Sequence, residues 1–416
     1  MNLKLIIEFR SNDLHCPINS AVDALPYGGG MLKSVMRSLV TIRKCEDYDP
    51  QRVTAVIEKI FDDLGGIASV VKTGDRVLLK PNLLKSADPS QAVVTHPTVV
   101  EAVAATVLDC GGVPFVGDSP PLGNLPRVLS KCGYDPFMKK MGIQTVPFVE
   151  KTPVEFPGDK LFRRIDLAKE IFEFDAVINL PKLKTHTQMV LTLAVKNLFG
   201  AVIGTDKAAW HLRAGREFAT FATVLVQIYD RVRPVVSIMD GVLAMEGNGP
   251  NSGDPRHVGI IAAARDAVAL DAVICRLIGF PVDSVPTCAV AVGLGVGVVD
   301  MDGIDMVGDA LDGFPLRDFK PPKSMSMAWN LSYGNPIRRF LENHLITRPE
   351  IDALSCETCG ICLEHCPPGA IHEQDSRMVI DRKKCISCFC CHELCPNQAV
   401  RIVLPRVGRF LSKITR

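Results

Sequence analysis

Two runs of cysteine constrain this chain more than anything else in its 416 residues. The first reads Cys356-x-x-Cys359-x-x-Cys362-x-x-x-Cys366-Pro367, the second Cys385-x-x-Cys388-x-x-Cys391-x-x-x-Cys395-Pro396. Thiolates at i, i+3 and i+6 wrap a loop around three corners of a cubane. A fourth, followed by proline, leaves that loop and reaches the neighbouring cluster. The spacing therefore predicts two [4Fe–4S] clusters. Cys356, Cys359, Cys362 and Cys395 would hold one, and Cys385, Cys388, Cys391 and Cys366 the other. A zinc ribbon would need two pairs of ligands and has no use for a crossed fourth cysteine. A disulfide framework suits a small secreted domain rather than a long chain in which no secretory signal is read.

Each Cys-Pro ending is followed by a small-residue turn and an apolar pair, Gly369-Ala370-Ile371 and then Gln398-Ala399-Val400. In this the segment resembles a duplicated bacterial-type ferredoxin with two clusters, a small α+β unit. Cys390 reads as a bystander, because Cys391 keeps the register. Clusters so ligated carry single electrons, usually at low potential, and leave no iron open, which makes them a relay rather than a catalytic centre. Their sensitivity to oxygen places the expected setting in a reducing cytoplasm under anaerobic conditions.

The length exceeds one ordinary domain and suggests two or three. With 47% hydrophobic and 22% charged residues the chain suits a globular protein with a substantial core. A net charge of +1 offers no argument for nucleic acid. The longest apolar run, Val285 to Val299, is too short and too broken by Pro286 and glycines for a membrane span. Residues 1–37 read as an N-terminal extension, with Met36 as an alternative start. The large domain is expected at 38–310, a Pro-, Lys- and Ser-rich linker with one helix (Pro336–His344) at 311–350, and the ferredoxin-like domain at 351–403. A basic amphipathic tail, 404–416, completes the chain. The scattered cysteines Cys16, Cys45, Cys110, Cys132, Cys275 and Cys288 read as core residues.

In the large domain short apolar runs alternate with helical periodicity. Strands are expected at Leu39–Arg43, Val77–Lys80, Val113–Gly117, Ala176–Leu180, Val235–Met239 and Val258–Ala263. Helices are expected at Pro50–Leu64, Pro97–Cys110, Glu217–Arg231 and Ala267–Ile278. That alternation argues for an α/β fold with a mostly parallel sheet flanked by helices. Function in such sheets sits beyond the carboxyl ends of the strands. Four of those ends carry charged or amide residues beside Pro or Gly: Lys80-Pro81-Asn82, Gly117-Asp118-Ser119-Pro120, Asn179 to His186, and Asp240-Gly241 leading to Glu246. Together they predict a shared polar site able to hold an anion. Lys182, Lys184, His186 and Asp118 are the candidate catalytic residues, and Lys80, Asn82, Lys196, Asn197 and Glu246 the candidate substrate ligands. Each has a plainer reading: lysines near turns are usually solvated, and aspartates there often cap. Asp271 would simply face a lysine, and Thr95 would cap the helix after His96.

Dinucleotide, P-loop, nucleophile-elbow and zincin signatures are all missing. The chain is similar instead to the domain of unknown function 362 family in its ferredoxin-fused form. The resemblance rests on Lys80-Pro81-Asn82-Leu83-Leu84, Thr95-His96-Pro97-Thr98-Val99-Val100-Glu101-Ala102, Gly117-Asp118-Ser119-Pro120, Asn179-Leu180-Pro181-Lys182-Leu183-Lys184-Thr185-His186, Val195-Lys196-Asn197-Leu198-Phe199-Gly200 and Met245-Glu246-Gly247-Asn248-Gly249-Pro250. It spans about Ser38 to Phe280 and again the cysteine motif. What it implies is an iron–sulfur protein with no generally assigned reaction. Two functions are expected on these grounds. One is an oxidoreductase in which two [4Fe–4S] clusters exchange electrons with a small anionic substrate, or a further unidentified ligand, in the large domain. The other is an electron-transfer adaptor whose large domain docks a partner enzyme. A purely structural role for the clusters ranks last, since one cluster or a zinc would staple a domain this small.

Overall fold

The computed structural model describes residues 37–158, 160–204, 206–215, 217–311, 314–323 and 347–405. The expectations for the N-terminal extension through residue 36, for the helix Pro336–His344 and for the tail from residue 406 lie outside them.

A ten-stranded sheet organises the large domain. Along its main path lie β12 (Ile304–Gly308), β1 (Ser38–Lys44), β11 (Asp254–Ala264), β10 (Val236–Glu246), β7 (Ala176–Leu180), β2 (Arg76–Pro81), β3 (Val113–Asp118) and β4 (Gln144–Pro147). Only β11 runs against its neighbours on this path. A separate hairpin, β5 (Lys151–Glu155) and β6 (Arg164–Ala168), stands apart from the main sheet. Two further strands, β8 (Lys182–His186) and β9 (Val190–Thr192), attach beside the far half of β10. The fold is thus α/β with a mostly parallel sheet. Its strand order reverses between β2 and β7, the position where open sheets of this kind leave a crevice.

Central strands in such a sheet are covered on both faces, so they read as continuous apolar runs. β7 is buried at every position and β2 at all but Arg76. One face is covered by α1 (Pro50–Asp63) and α2 (Pro97–Asp109). On the other lie α3 (Ala194–Asn197), α4 (Asp206–Ala214), α5 (Phe218–Val232) and α6 (Ala267–Leu277). In α1 the residues Val53, Val56, Ile57, Ile60 and Phe61 form the buried stripe. Asp49 caps its first turn by accepting from Arg52 N, with Pro50 at the first helical position.

The strands and helices expected in the large domain are all present, two of them much longer than their apolar cores, since β10 and β11 each run for 11 residues as an antiparallel pair. The stretch Lys182–His186 is a strand rather than a loop, because the extended part of β10 offers it a free edge. The Gly-rich stretch from Val282 resolves into a 3₁₀ turn and a helix, Pro286–Leu294. Residues 314–323, at the start of the expected linker, pack on the large domain: Leu316 N donates to Leu277 O at 2.8 Å, and Phe319 stands edge-on to Phe280.

The cysteine-rich module is two small antiparallel ladders. β13 (Arg348–Ile351) pairs with β16 (Val400–Val403), and β14 (Ile371–Gln374) with β15 (Arg377–Ile380). A short helix, α7 (Cys390–Leu394), carries the third cysteine of the second run, ends just before the fourth and faces the large domain.

Candidate functional site

Two recesses of about 300 and 350 Å³, both partly open to solvent, lie in the module. Cys366, Cys385, Cys388 and Cys391 line the first, and Cys356, Cys359, Cys362 and Cys395 the second. Each recess thus draws three cysteines from one run and the last from the other, the crossed sets expected from the spacing. The two halves also share their backbone turns. Thr358, Gly360 and Gly369 have positive φ in the first half, and Ser387, Phe389 and Gln398 occupy the same places in the second. Such turns aim successive N–H groups inward, which favours a negatively charged occupant. Ala370 N donates to Cys366 Sγ and Ala399 N to Cys395 Sγ, both at 3.2 Å, and Ser387 N donates to Cys385 Sγ at 3.5 Å. Hydrogen bonds to ligand sulfurs are one of the levers that set a cluster's potential. No group of three or more His, Cys, Asp or Glu among the described residues could hold a metal ion. Each recess offers four thiols, the donor set that a [4Fe–4S] cluster would take.

At the strand ends of the large domain the lysines are buried, against the plainer reading of solvated side chains. Lys80, at the end of β2, pairs with Asp118, at the end of β3, at 3.0 Å. Gly200 lies against this pair: a Cβ there would stand 2.2 Å from Asp118 Oδ1 and 2.5 Å from Lys80 Nζ. Lys207 of α4 donates to Ser119 O at 2.9 Å, to Ser119 Oγ and to Val202 O. Burial, then the neighbouring Lys80 charge, pushes its ammonium down to about 7 against the pull of Asp118. Three asparagines link the strand ends: Asn82 donates to Asn197 Oδ1 (2.9 Å), and Asn197 to Asn179 Oδ1 (2.8 Å). Asn179 in turn reaches Ala194 O and Ser237 Oγ.

A second ion pair joins β8 to β10. Lys182 Nζ lies 2.7 Å from Asp240 Oδ2, both side chains wholly buried. Lys182 also donates to the Tyr48 hydroxyl, which donates to Asp240 Oδ1, both at 2.8 Å. His96 N adds a bond to Asp240 Oδ2 at 2.9 Å. A bulge between Gly241 and Leu243 breaks the β10–β11 register just beyond Asp240. Burial draws the Lys182 ammonium below the usual lysine range while Asp240 opposes it. The His96 ring stacks on Tyr48 at 3.6 Å, and burial pushes it down to about 4. His96 itself caps α2 through Nδ1. The expected cap, Thr95, instead donates to Leu180 O and accepts from Asn82 N. Asp271 faces no lysine either: it accepts from Ala194 N (2.7 Å) and Val195 N (3.1 Å), and so fixes the start of α3 and with it Lys196 and Asn197. Burial pushes its carboxyl up to about 8 against these two bonds.

The third basic group has no carboxylate partner from its own domain among the described residues. Lys184 donates to Val93 O at 2.6 Å, and burial together with the Lys196 charge draws it well below the lysine range. His186 Nδ1 accepts from Gln188 N and Met189 N, which leaves the ring proton on Nε2. That nitrogen faces Glu393 Oε1 of α7 at 3.0 Å. Burial would raise the Glu393 carboxyl, but His186, Lys196 and His211 outweigh it and hold the group below the usual carboxylate range. Burial pushes His186 down to about 4 and His211 to about 3. Around this contact Asn251 Nδ2 donates to Cys395 O at 3.1 Å, and the His392 ring spans Val400 O and Asn248 O. The module therefore docks on the strand-end side of the sheet.

The structure gathers the candidate residues into three adjoining groups. Lys80, Asp118, Asn82 and Asn197 form the first, Lys182 with Asp240 the second, and Lys184, His186 and Lys196 the third, beneath the module. Glu246 is engaged elsewhere, by Lys320 at 3.0 Å from the segment following the domain. Tyr48 and Glu393 were not among the sequence candidates. Tyr48 precedes the first helix without a motif, and Glu393 is an unspecified position inside the cysteine run.

Known proteins place the chain at the level of family. The family model described as "Domain of unknown function (DUF362)" matches residues 77–276. The "Thylakoid-associated protein sll1697" of Synechocystis sp. is 42% identical over 258 residues, which cover 62% of this chain and 79% of that protein. Among solved structures, the lactate racemase apoprotein of Thermoanaerobacterium thermosaccharolyticum aligns at 10% identity with a TM-score of 0.37. It covers 55% of this chain and 54% of that one. A Thermotoga maritima protein aligns at 13% identity with a TM-score of 0.34, covering 54% of this chain and 57% of that one. This chain thus spans little more than half the length of either structure. On the family model and the Synechocystis relative, the chain belongs to the DUF362 family.

Proposed function

We propose that this protein is an iron–sulfur redox protein. In this reading its C-terminal module is a ferredoxin with two [4Fe–4S] clusters that exchanges electrons at the polar strand ends of the large domain. The observation that carries it is the pair of recesses lined by crossed sets of four cysteines, with backbone N–H groups turned to three of the sulfurs. When bound, such clusters supply one-electron transfer and no open coordination site. The chain's own residues do the rest. The crossed cysteines tie the two halves of the module together, and the Ala370, Ser387 and Ala399 N–H groups point at the sulfurs. α7, bearing Cys391 and Cys395 at or beside its ends, brings the module against Lys196 and His186. The large domain supplies the cationic surroundings in which an anionic substrate would bind.

The adaptor reading has a specific observation in its favour: the basic group under the module is already met by the chain's own Glu393. In that reading a partner enzyme, rather than a small anion, takes the electrons. The proposed compartment is the cytoplasm, and no described helix is long and apolar enough to cross a membrane. The thylakoid association in the relative's name makes a membrane-bound partner worth seeking.

Anaerobic purification followed by iron and sulfide assay, native mass spectrometry and EPR of the reduced protein tests the reading. Eight irons and eight sulfides per chain are expected, as two [4Fe–4S] clusters require. Cys385→Ser should disturb one cluster's spectrum and spare the other. A chain that binds zinc, or whose spectrum ignores that change, refutes the assignment. Mass beyond two clusters would mark a further ligand and favour the enzyme over the adaptor.

A further inference from the structure

Three buried lysines meet the strand ends of β2 and β8, and their charges are answered differently. Lys80 has Asp118 and Lys182 has Asp240, each a carboxylate of the same domain. Lys184 has only the Val93 carbonyl, and its charged neighbours are Lys196, Lys182, Glu393 and Asp118, the last already taken. Lys196, on α3, likewise has Glu393 as its one carboxylate neighbour among the described residues, with the Cys390 thiol also nearby. A buried ammonium without a counter-ion is costly, so Lys184, with the half-buried Lys196 charge beside it, makes a pocket that selects for an anion. Unpartnered polar atoms lie in the same place. His186 Nε2, on a wholly buried ring, and His211 Nδ1, on a ring 5% exposed, have no satisfied hydrogen bond. Gln188 Oε1 is also unpaired. The one group inserted among them is Glu393, whose Oε1 is unpaired too despite lying 3.0 Å from His186. A carboxylate is present, then, but arrives on a short helix from another module and does not saturate the donors.

We propose that Lys184, His186, Lys196 and His211 form a binding site for a small carboxylate, which the Glu393 side chain fills while the module is docked. The ligand and the docked module compete for one seat. This deepens the reading of the strand ends as an anion site and names its ligand class. Two further docking contacts, Asn251 to Cys395 O and His392 to Asn248 O, are neutral hydrogen bonds. A carboxylate that enters must therefore loosen the module, and one that leaves lets Glu393 return.

The test uses the full chain, held anaerobically, with sodium formate and acetate as probes and sodium chloride at equal ionic strength as control. In Glu393→Ala the vacated seat should give a saturable rise in the large domain's unfolding temperature with formate or acetate. Chloride should give none, and Glu393→Gln, whose amide still fills the space, should respond much less. The response should disappear in Glu393→Ala combined with Lys196→Met. Equal responses to formate and chloride, or none in Glu393→Ala, overturn the proposal. If Glu393→Ala does not fold, amide hydrogen exchange on the unaltered protein decides. Formate, but not chloride, should accelerate exchange in residues 390–394 and 247–251, and an unchanged pattern overturns the proposal. Iron content is measured in parallel: its absence would refute the redox reading and leave the carboxylate result standing on its own.

Discussion

Asp240→Asn is the sharpest test of how the strand ends are held. The Asp240 carboxylate has no solvent contact and takes bonds from Lys182 Nζ, the Tyr48 hydroxyl and His96 N. The substitution keeps shape and removes charge, so Lys182 is left as a buried ammonium facing an amide. Wherever the new NH₂ points it meets a donor, because both original oxygens were acceptors. Removing one partner of a buried pair costs about 3–5 kcal/mol, against about 0–1 for an exposed one. That is roughly two to four powers of ten in the folding equilibrium. Urea unfolding of the large domain, followed by circular dichroism, should lose that much stability at an unchanged urea slope. Lys182→Met should also be costly, because it strands the carboxylate. The double variant removes both charges and should cost less than the sum of the single changes, with a coupling of about 1–3 kcal/mol. A loss below about 1 kcal/mol for Asp240→Asn, or simple additivity, refutes the view that the pair acts as one buried unit.

Gly200→Ala should destabilise by about 1–3 kcal/mol, since its Cβ overlaps Asp118 and Lys80 and must force them apart. A stability equal to the parent's in the same urea assay refutes the close approach. Asp271→Ala leaves Ala194 N and Val195 N without their acceptor and should cost about 1–3 kcal/mol for each N–H. Asp271→Asn retains an acceptor and should cost less, so equal losses would argue against the cap. Lys207 supplies the pH test. Its folded value, about 7, lies below the ordinary lysine value, so between pH 7 and 10 the unfolded chain holds more protons and stability rises with pH. Urea midpoints of the parent should climb across that window more than those of Lys207→Met, and parallel profiles would refute the shift.

How much was legible follows from how far each interaction reaches along the chain. The cysteine sets are local repeats, and their crossing is implied by the proline after each fourth cysteine, so eight positions could be named and each recess contains its expected four. β2 and β7 are covered on both faces and therefore spell themselves as apolar runs, and α1 announces its ends with Asp49, Pro50 and two glycines. β8 was invisible because it pairs with short β9 and with the part of β10 beyond the apolar core. Lys80, Lys182 and Lys184 are buried, although lysines near turns are usually solvated. No local pattern says that Asp118 will stand beside Lys80, or Asp240 beside Lys182.

The sequence by itself determined the α/β class, the family and the cysteine pattern, because periodicity, turn chemistry and motif spacing act over a few residues. The tertiary structure alone decided which carboxylate answers which lysine, that Tyr48 joins Lys182 to Asp240, and that Glu393 enters the remaining basic pocket. Those outcomes depend on partners tens to hundreds of residues apart. They are selected by the cost of burying a charge without a counter-ion, which exists only once the sheet has closed around it.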